Sequence, residues 1–307
     1  MNQIKYFSAK NLYIVSALFA FTLSPVSVAA QSTTTPKATV NDTITVTGAR
    51  PDKKQIRKDA RVFVGKATTT QFGQYARRND PLCPMVVGIN QDYADIVISK
   101  IRTTAQAAGV PLASGKCRAN LHVFFTGNGN ALLAKIAKDR PGVLGNVPPS
   151  ERSGLINSAV PLRWWYTTQL KGSDRTPAAA RDINKDYTNF LSLKSYSSSV
   201  IDSKIIIDLT SAVVVVDVNQ ATGFPLESIA AFAAMVSFAE FKSGKPYGEF
   251  PSILAMFTSG GKALDSERDL TKWDYAYVNA LYKVPASRTG DIQKSQISNK
   301  MATALTE

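Results

Sequence analysis

Few side chains in this sequence could carry out acid–base, nucleophilic or metal chemistry. The only histidine is His122, and the only cysteines are Cys83 and Cys117. A catalytic zinc needs three protein ligands, usually with two histidines one helical turn apart. A serine triad needs a histidine base, and the chain has no Gly-x-Ser-x-Gly sequence to present the serine. We therefore expect no metal site and no cofactor, and we name no catalytic residue.

The remaining candidates for chemistry are four carboxylates around the most apolar part of the chain: Asp202, Asp208, Asp217 and Glu227. Two carboxyl groups about 5–5.5 Å apart could serve a retaining glycosidase. Sequence spacing does not place these four groups, and solvated acids in turns are the simpler interpretation. A hydrolase that uses such a pair stays open as an alternative to a binding protein.

The two cysteines predict a disulfide. In an exported protein an even number of cysteines indicates pairing. Cys83 and Cys117 are 34 residues apart, and closing a loop of that length stabilises a fold by roughly 3.8 kcal/mol in the chain-entropy model. A metal or catalytic thiol pair would need further donors nearby.

The segment between the cysteines has a strand–helix–strand pattern. Residues 85–89 predict a strand, residues 91–108 a helix with apolar side chains at three- and four-residue spacing, and residues 120–125 a second strand. Such a unit favours a right-handed crossover between parallel strands. We interpret His122 as a hydrogen-bonded residue of the second strand. Residues 127–130 then form a Gly-rich turn, which could cradle an anion but fits an ordinary strand-to-helix turn better.

Possible partner-binding residues lie in the predicted strand at 161–168. Trp164 and Trp165 are adjacent, so their rings should point to opposite faces, with at least one partly exposed or covered by a loop. An exposed ring beside Arg163 could stack on a sugar or a peptide, and plain packing is the alternative. The polar stretch at 171–199 predicts a long surface excursion, where a partner could also bind.

The most regular apolar pattern lies between residues 203 and 282. An apolar run at 205–207 and a valine-rich run at 212–218 predict strand structure with both faces buried. A small-residue helix at 226–242 and a helical segment at 270–282 follow.

This order resembles that of zincin-like secreted metallopeptidases, in which an apolar strand, a His-Glu-x-x-His helix, a Ser-Ile-Met-type turn and an acidic helix follow each other. Residues 270–282, Leu-Thr-Lys-Trp-Asp-Tyr-Ala-Tyr-Val-Asn-Ala-Leu-Tyr, are similar to the acidic helix, and residues 251–256 to the turn. The place of the zinc helix is taken by residues 228–236, which contain no histidine. The resemblance implies a degenerate zincin-like scaffold without its active site. The arrangement also resembles a group of small exported alphaproteobacterial proteins.

Residues 1–30 have the features of a secretory signal peptide. Lys5 and Lys10 provide the positive start, residues 12–23 are apolar, and residues 27–30 are small. The apolar run is short for a membrane span of about 20 residues, although an uncleaved anchor is the alternative. We expect export to the periplasm or the extracellular space, and no integral membrane protein.

The rest of the chain divides into three parts. Residues 31–52 predict a flexible tether with a short strand at 44–48, residues 53–285 a single domain, and residues 286–307 a C-terminal tail. The domain should belong to the α+β class, with a mixed sheet flanked by helices and one disulfide.

The charge balance bears on partners. The formal net charge is +13, and the lysines and arginines are scattered along the sequence. Scattered cations predict a solubilising surface, and we expect no nucleic-acid partner. The sequence thus favours a non-catalytic exported protein that binds a cell-envelope component or a protein partner, and it does not predict an oligomeric state.

Overall fold

A computed structural model describes residues 52–68, 70–144, 146–177, 179–180, 191–192, 201–243, 247–257 and 269–307. The predicted signal peptide, the tether up to residue 51 and most of the polar excursion at 171–199 lie outside the described residues.

Several helices begin at a side-chain cap. The Asn90 side chain accepts a hydrogen bond from the Asp92 amide at 3.1 Å, and Asp52 accepts one from the Lys54 amide at 2.9 Å. Two short 3-10 turns cover Pro141–Leu144 and Ile253–Phe257. The α-helices are α1 (Lys53–Ala67), α2 (Gln91–Ala107), α3 (Gly129–Asp139), α4 (Pro149–Ile156), α5 (Leu226–Phe238), α6 (Lys272–Lys283) and α7 (Gly290–Ala304).

The main sheet has four strands in the order β3-β4-β8-β5. The strands β3, β4 and β8 are parallel, and β5 runs antiparallel to β8 at one edge. This mixed sheet with flanking helices confirms the predicted α+β class. The strands are β1 (Thr70–Gln71), β2 (Gln74–Tyr75), β3 (Pro84–Val87), β4 (Leu121–Thr126), β5 (Leu162–Gly172), β6 (Ala179–Ala180), β7 (Leu191–Ser192) and β8 (Ile205–Asp217).

The two apolar runs of the sequence form one strand, β8, at the centre of the sheet. Its pairing with β5 shifts register between Thr167 and Thr168, which accommodates the more polar middle of the strand. Val214 faces a large core that includes α5, and Val215 faces a smaller core under α3, α4 and the first 3-10 turn. Both faces of the valine-rich run are therefore buried, as predicted, up to Asp217, whereas Val218 lies beyond the strand and is exposed.

The disulfide is confirmed, since Cys83 and Cys117 are bonded with their Cα atoms 6.1 Å apart. It lies just before β3 and β4, which are parallel neighbours. The crosslink therefore ties together the entrances of these two strands.

Two sequence expectations need correction. The helix predicted at 226–242 ends at Phe238, because Ala239 is extended and pairs with Arg77 as an isolated bridge. Residues 286–307, expected to be a tail, contain α7, which packs against α1 and α6 and buries Ile297 and Met301. In the described part of the chain, no helix has the length and apolar character needed to cross a membrane.

Candidate binding site

The helix α5 contains residues 228–236, the segment that the sequence resemblance compares with a zinc-binding helix. Every residue from Ser228 to Phe238 is buried, and Phe232 packs edge-on against Trp164 with ring centroids 5.4 Å apart. Glu227 and Glu240 lie beyond the two ends of this buried segment, as the sequence spacing predicts. Among the described residues, no three His, Cys, Asp or Glu side chains cluster closely enough to hold a metal ion. In this structure α5 is a core element.

The second 3-10 turn and the start of α6 meet at Asp274. Its buried carboxylate accepts hydrogen bonds from the Ser252 hydroxyl at 2.5 Å and the Ile253 amide at 2.8 Å. It also accepts from the amide and the hydroxyl of Thr271, both at 3.0 Å, within a capping box. Burial raises the pKa of Asp274 to about 6, although these four donors act in the opposite direction. The carboxylate therefore fastens the start of α6 to the second 3-10 turn.

The predicted partner-binding residues are all buried. Arg163 is 1% exposed, and Trp164 and Trp165 are 3% exposed. The two indoles do point to opposite faces: Trp164 Nε1 donates to Phe241 O at 3.2 Å, and Trp165 Nε1 donates to Val143 O at 3.1 Å. The first 3-10 turn thus covers the Trp165 ring, which the sequence alone allowed to be exposed. Neither indole ring beside Arg163 is exposed for contact with a partner. Partner binding by this segment stays a prediction.

The Gly-rich turn after β4 is filled by groups of the protein itself. Asp217 accepts a hydrogen bond from the Gly129 amide at 2.8 Å, and the Asn128 side chain accepts one from the Ala131 amide at 2.9 Å. An anion at the start of α3 would have to displace the Asp217 carboxylate. The turn is therefore the ordinary strand-to-helix connection that the sequence favours.

The other carboxylates do not assemble into a pair. Asp208 is buried and binds Lys171 and the Asn79 amide, whereas Asp202 pairs with Arg288 at 3.0 Å. Asp208 lies near the start of β8 and Asp217 at its end, roughly 30 Å apart at the usual rise of a strand.

His122 lies in β4 as expected, half-buried and stacked on Phe124 with ring centroids 6.4 Å apart. Its imidazole forms no hydrogen bond with any described residue, in contrast to the sequence interpretation. Burial, together with the nearby charge of Arg78, lowers its pKa. Both effects favour the neutral imidazole.

Sequence reasoning did not find the groove at the start of α7. This groove has a volume of about 700 Å³ and lies between α1, the β1–β2 hairpin and α7. Lys242 and Lys294 provide its cations, and Asp291 is the one acid among its described lining residues. Its walls come from four distant stretches of the chain, so its only local signal is the polar Thr289-Gly290-Asp291 start of a helix.

In comparisons with protein-family models, with curated proteins and with solved structures, the chain matches none.

Proposed function

We propose that this chain is an exported, non-catalytic protein that binds a cell-envelope component or a protein partner. We further propose that its part from β8 to α6 is a zincin-like scaffold that has lost its zinc site. The observation that carries the proposal is the burial of every residue of α5 from Ser228 to Phe238, without a histidine or an acid inside that segment.

The order of the elements supports the scaffold proposal. The apolar strand β8 is followed by α5, by the second 3-10 turn and by the acidic helix α6, which is the order in the resemblance. The Ser252–Asp274 hydrogen bond joins the two short motifs on which the resemblance rests. A zincin-type scaffold would keep such a junction for stability even where catalysis has been lost.

Metal content and activity test the non-catalytic part. The purified chain, dialysed without a chelator, should carry well under one zinc per chain by elemental analysis and should not cleave unstructured protein substrates. Stoichiometric zinc together with chelator-sensitive peptidase activity would overturn the proposal.

Thiol alkylation in living cells tests the export part. In an exported chain Cys83 and Cys117 should be protected from alkylation, because oxidising compartments maintain disulfides. A matched chain without residues 2–30 should remain in the reducing cytosol and react at both cysteines. Equal protection in both chains, or reaction in both, would contradict export through the N-terminal segment.

A further inference from the structure

Two lysine ammonium groups from distant parts of the chain converge on Gly65. Lys242 Nζ donates to the Gly65 carbonyl at 3.1 Å, and Lys294 Nζ lies 2.5 Å from the place that a Cβ atom on Gly65 would take. Both side chains are half-buried, and neither forms an ion pair with any described residue. Two like charges held together in a partly dry site repel each other, so the pair favours a bound anion.

The start of α7 adds backbone donors to the same groove. The amides of Gly290, Asp291 and Ile292 meet no acceptor among the described residues, and Thr289 provides no side-chain cap. The first amides of a helix carry a partial positive charge and favour anions. The backbone at Gly73 packs so closely on Gly290 that a Cβ atom there would clash with the Gly73 carbonyl.

A buried amide provides the third kind of donor. Gln74 is 2% exposed, and its side-chain oxygen accepts a hydrogen bond from Gln293 Nε2 at 2.7 Å. The orientation is fixed, because the Arg77 guanidinium can only donate and it donates to Gln293 Oε1. The NH₂ group of Gln74 therefore points away from Gln293, and it has no acceptor among the described residues. Gln74 lines the groove, and an anion bound there would supply the missing acceptor.

We propose that the groove at the start of α7 binds an oxyanion, the carboxylate or phosphate group of a ligand. Lys242 and Lys294 neutralise its charge, while the first amides of α7 and the NH₂ group of Gln74 bind its oxygens. The exposed Asp291 carboxylate on the rim limits how much negative charge the groove accepts. The volume of about 700 Å³ fits a small molecule or the end of a polymer. The inference rests on the proposed binding function and gives it a site.

Titration of the purified chain with inorganic phosphate, and separately with acetate, tests the site. Chloride should keep the ionic strength constant. We expect saturable shifts of the Gly290, Asp291 and Ile292 amide signals in ¹H–¹⁵N NMR spectra. Lys242→Gln and Lys294→Gln should each weaken binding by at least about tenfold, the loss expected for one charge-assisted hydrogen bond.

The matched control is Lys300→Gln, which removes an exposed cation near the other end of the same helix. It should leave the affinity unchanged. Saturation by phosphate alone or by acetate alone identifies the oxyanion. The proposal is overturned if neither phosphate nor acetate gives saturable shifts, or if Lys300→Gln weakens binding as much as the two groove substitutions do. The zinc, peptidase and alkylation results do not depend on this groove, so its failure is distinguishable from failure of the proposed function.

Discussion

Ser252 and Asp274 are joined by a buried hydrogen bond of 2.5 Å across 22 residues of sequence. The same Ser252 hydroxyl oxygen accepts from the Leu254 amide at 3.2 Å, so it shapes the second 3-10 turn while it holds α6. This pair connects a turn and a helix that have no regular secondary-structure pairing with each other. The Asp274 carboxylate therefore ties the start of α6 to this turn.

Asp274→Ala should lower the free energy of unfolding by roughly 3–5 kcal/mol. The substitution leaves the Ile253 and Thr271 amides buried without an acceptor, at about 1–3 kcal/mol each. It also removes a negative charge from the first turn of α6. Urea unfolding followed by circular dichroism measures the loss. The control Glu151→Ala removes an exposed acid from the first turn of α4 and should cost less than about 1 kcal/mol. Equal effects of the two substitutions would refute the role of Asp274.

Protonation of Asp274 on mild acidification should raise the free energy of unfolding. Its pKa in the folded protein, about 6, lies above the ordinary value of 3.8. The folded state therefore binds this proton more readily than the unfolded chain. The associated stability is present in full below pH 3.8 and is lost as the pH rises through 6. Relative to Asp274→Asn, which cannot titrate, the protein should gain roughly 2–3 kcal/mol between about pH 7 and pH 4. A difference that stays constant with pH, or changes in the other direction, would rule this out.

Elements with local signals were predictable from the sequence, and sites assembled from distant residues were not. The cap of α2 at Asn90 and the core valines of β8 follow from neighbouring residues. The end of α5 could not be predicted, because Ala239 leaves the helix to pair with Arg77, far away in sequence. Similarly, α7 has too few apolar residues to suggest a packed helix, although Ile297 and Met301 are buried.

The candidate site could not be predicted from the sequence, because its residues also come from distant parts of the chain. Gly65, Lys242 and Gly290 are separated by tens of residues, and none of them belongs to a recognisable motif. The burial of Trp165 likewise depends on the 3-10 turn Pro141–Leu144, which a local reading of the strand does not include.

Gly129→Ala should destabilise the protein by about 1–3 kcal/mol. A Cβ atom at this position would clash with Arg163 Nη1 and would lie 3.2 Å from Asp217 Oδ2. Arg163 cannot move aside without losing its hydrogen bond to the Ser158 carbonyl. Gly154 in α4 is the control, because nothing lies within 4 Å of its Cβ position. There, alanine should raise stability by about 0.5–1 kcal/mol, since glycine disfavours a helix interior. A higher melting temperature for Gly129→Ala than for Gly154→Ala would contradict the close approach of Arg163 to Gly129.

Phe72→Asn should stabilise the protein by up to about 1 kcal/mol. Phe72 and Gly73 form the two-residue turn between β1 and β2, with φ angles of 49° and 71°. Left-handed backbone costs an ordinary L-residue roughly 1–2 kcal/mol, and asparagine adopts it more readily. The Phe72 ring is 70% exposed, so its removal forfeits little packing.

Gly73→Ala is the control with the opposite expected effect. The added Cβ atom would meet nothing within 4 Å, so only the backbone cost remains. The substitution should lower the free energy of unfolding by about 1–2 kcal/mol. Urea unfolding of both variants measures the two effects, and a loss of stability in Phe72→Asn would mean that the ring contributes more than its exposure indicates.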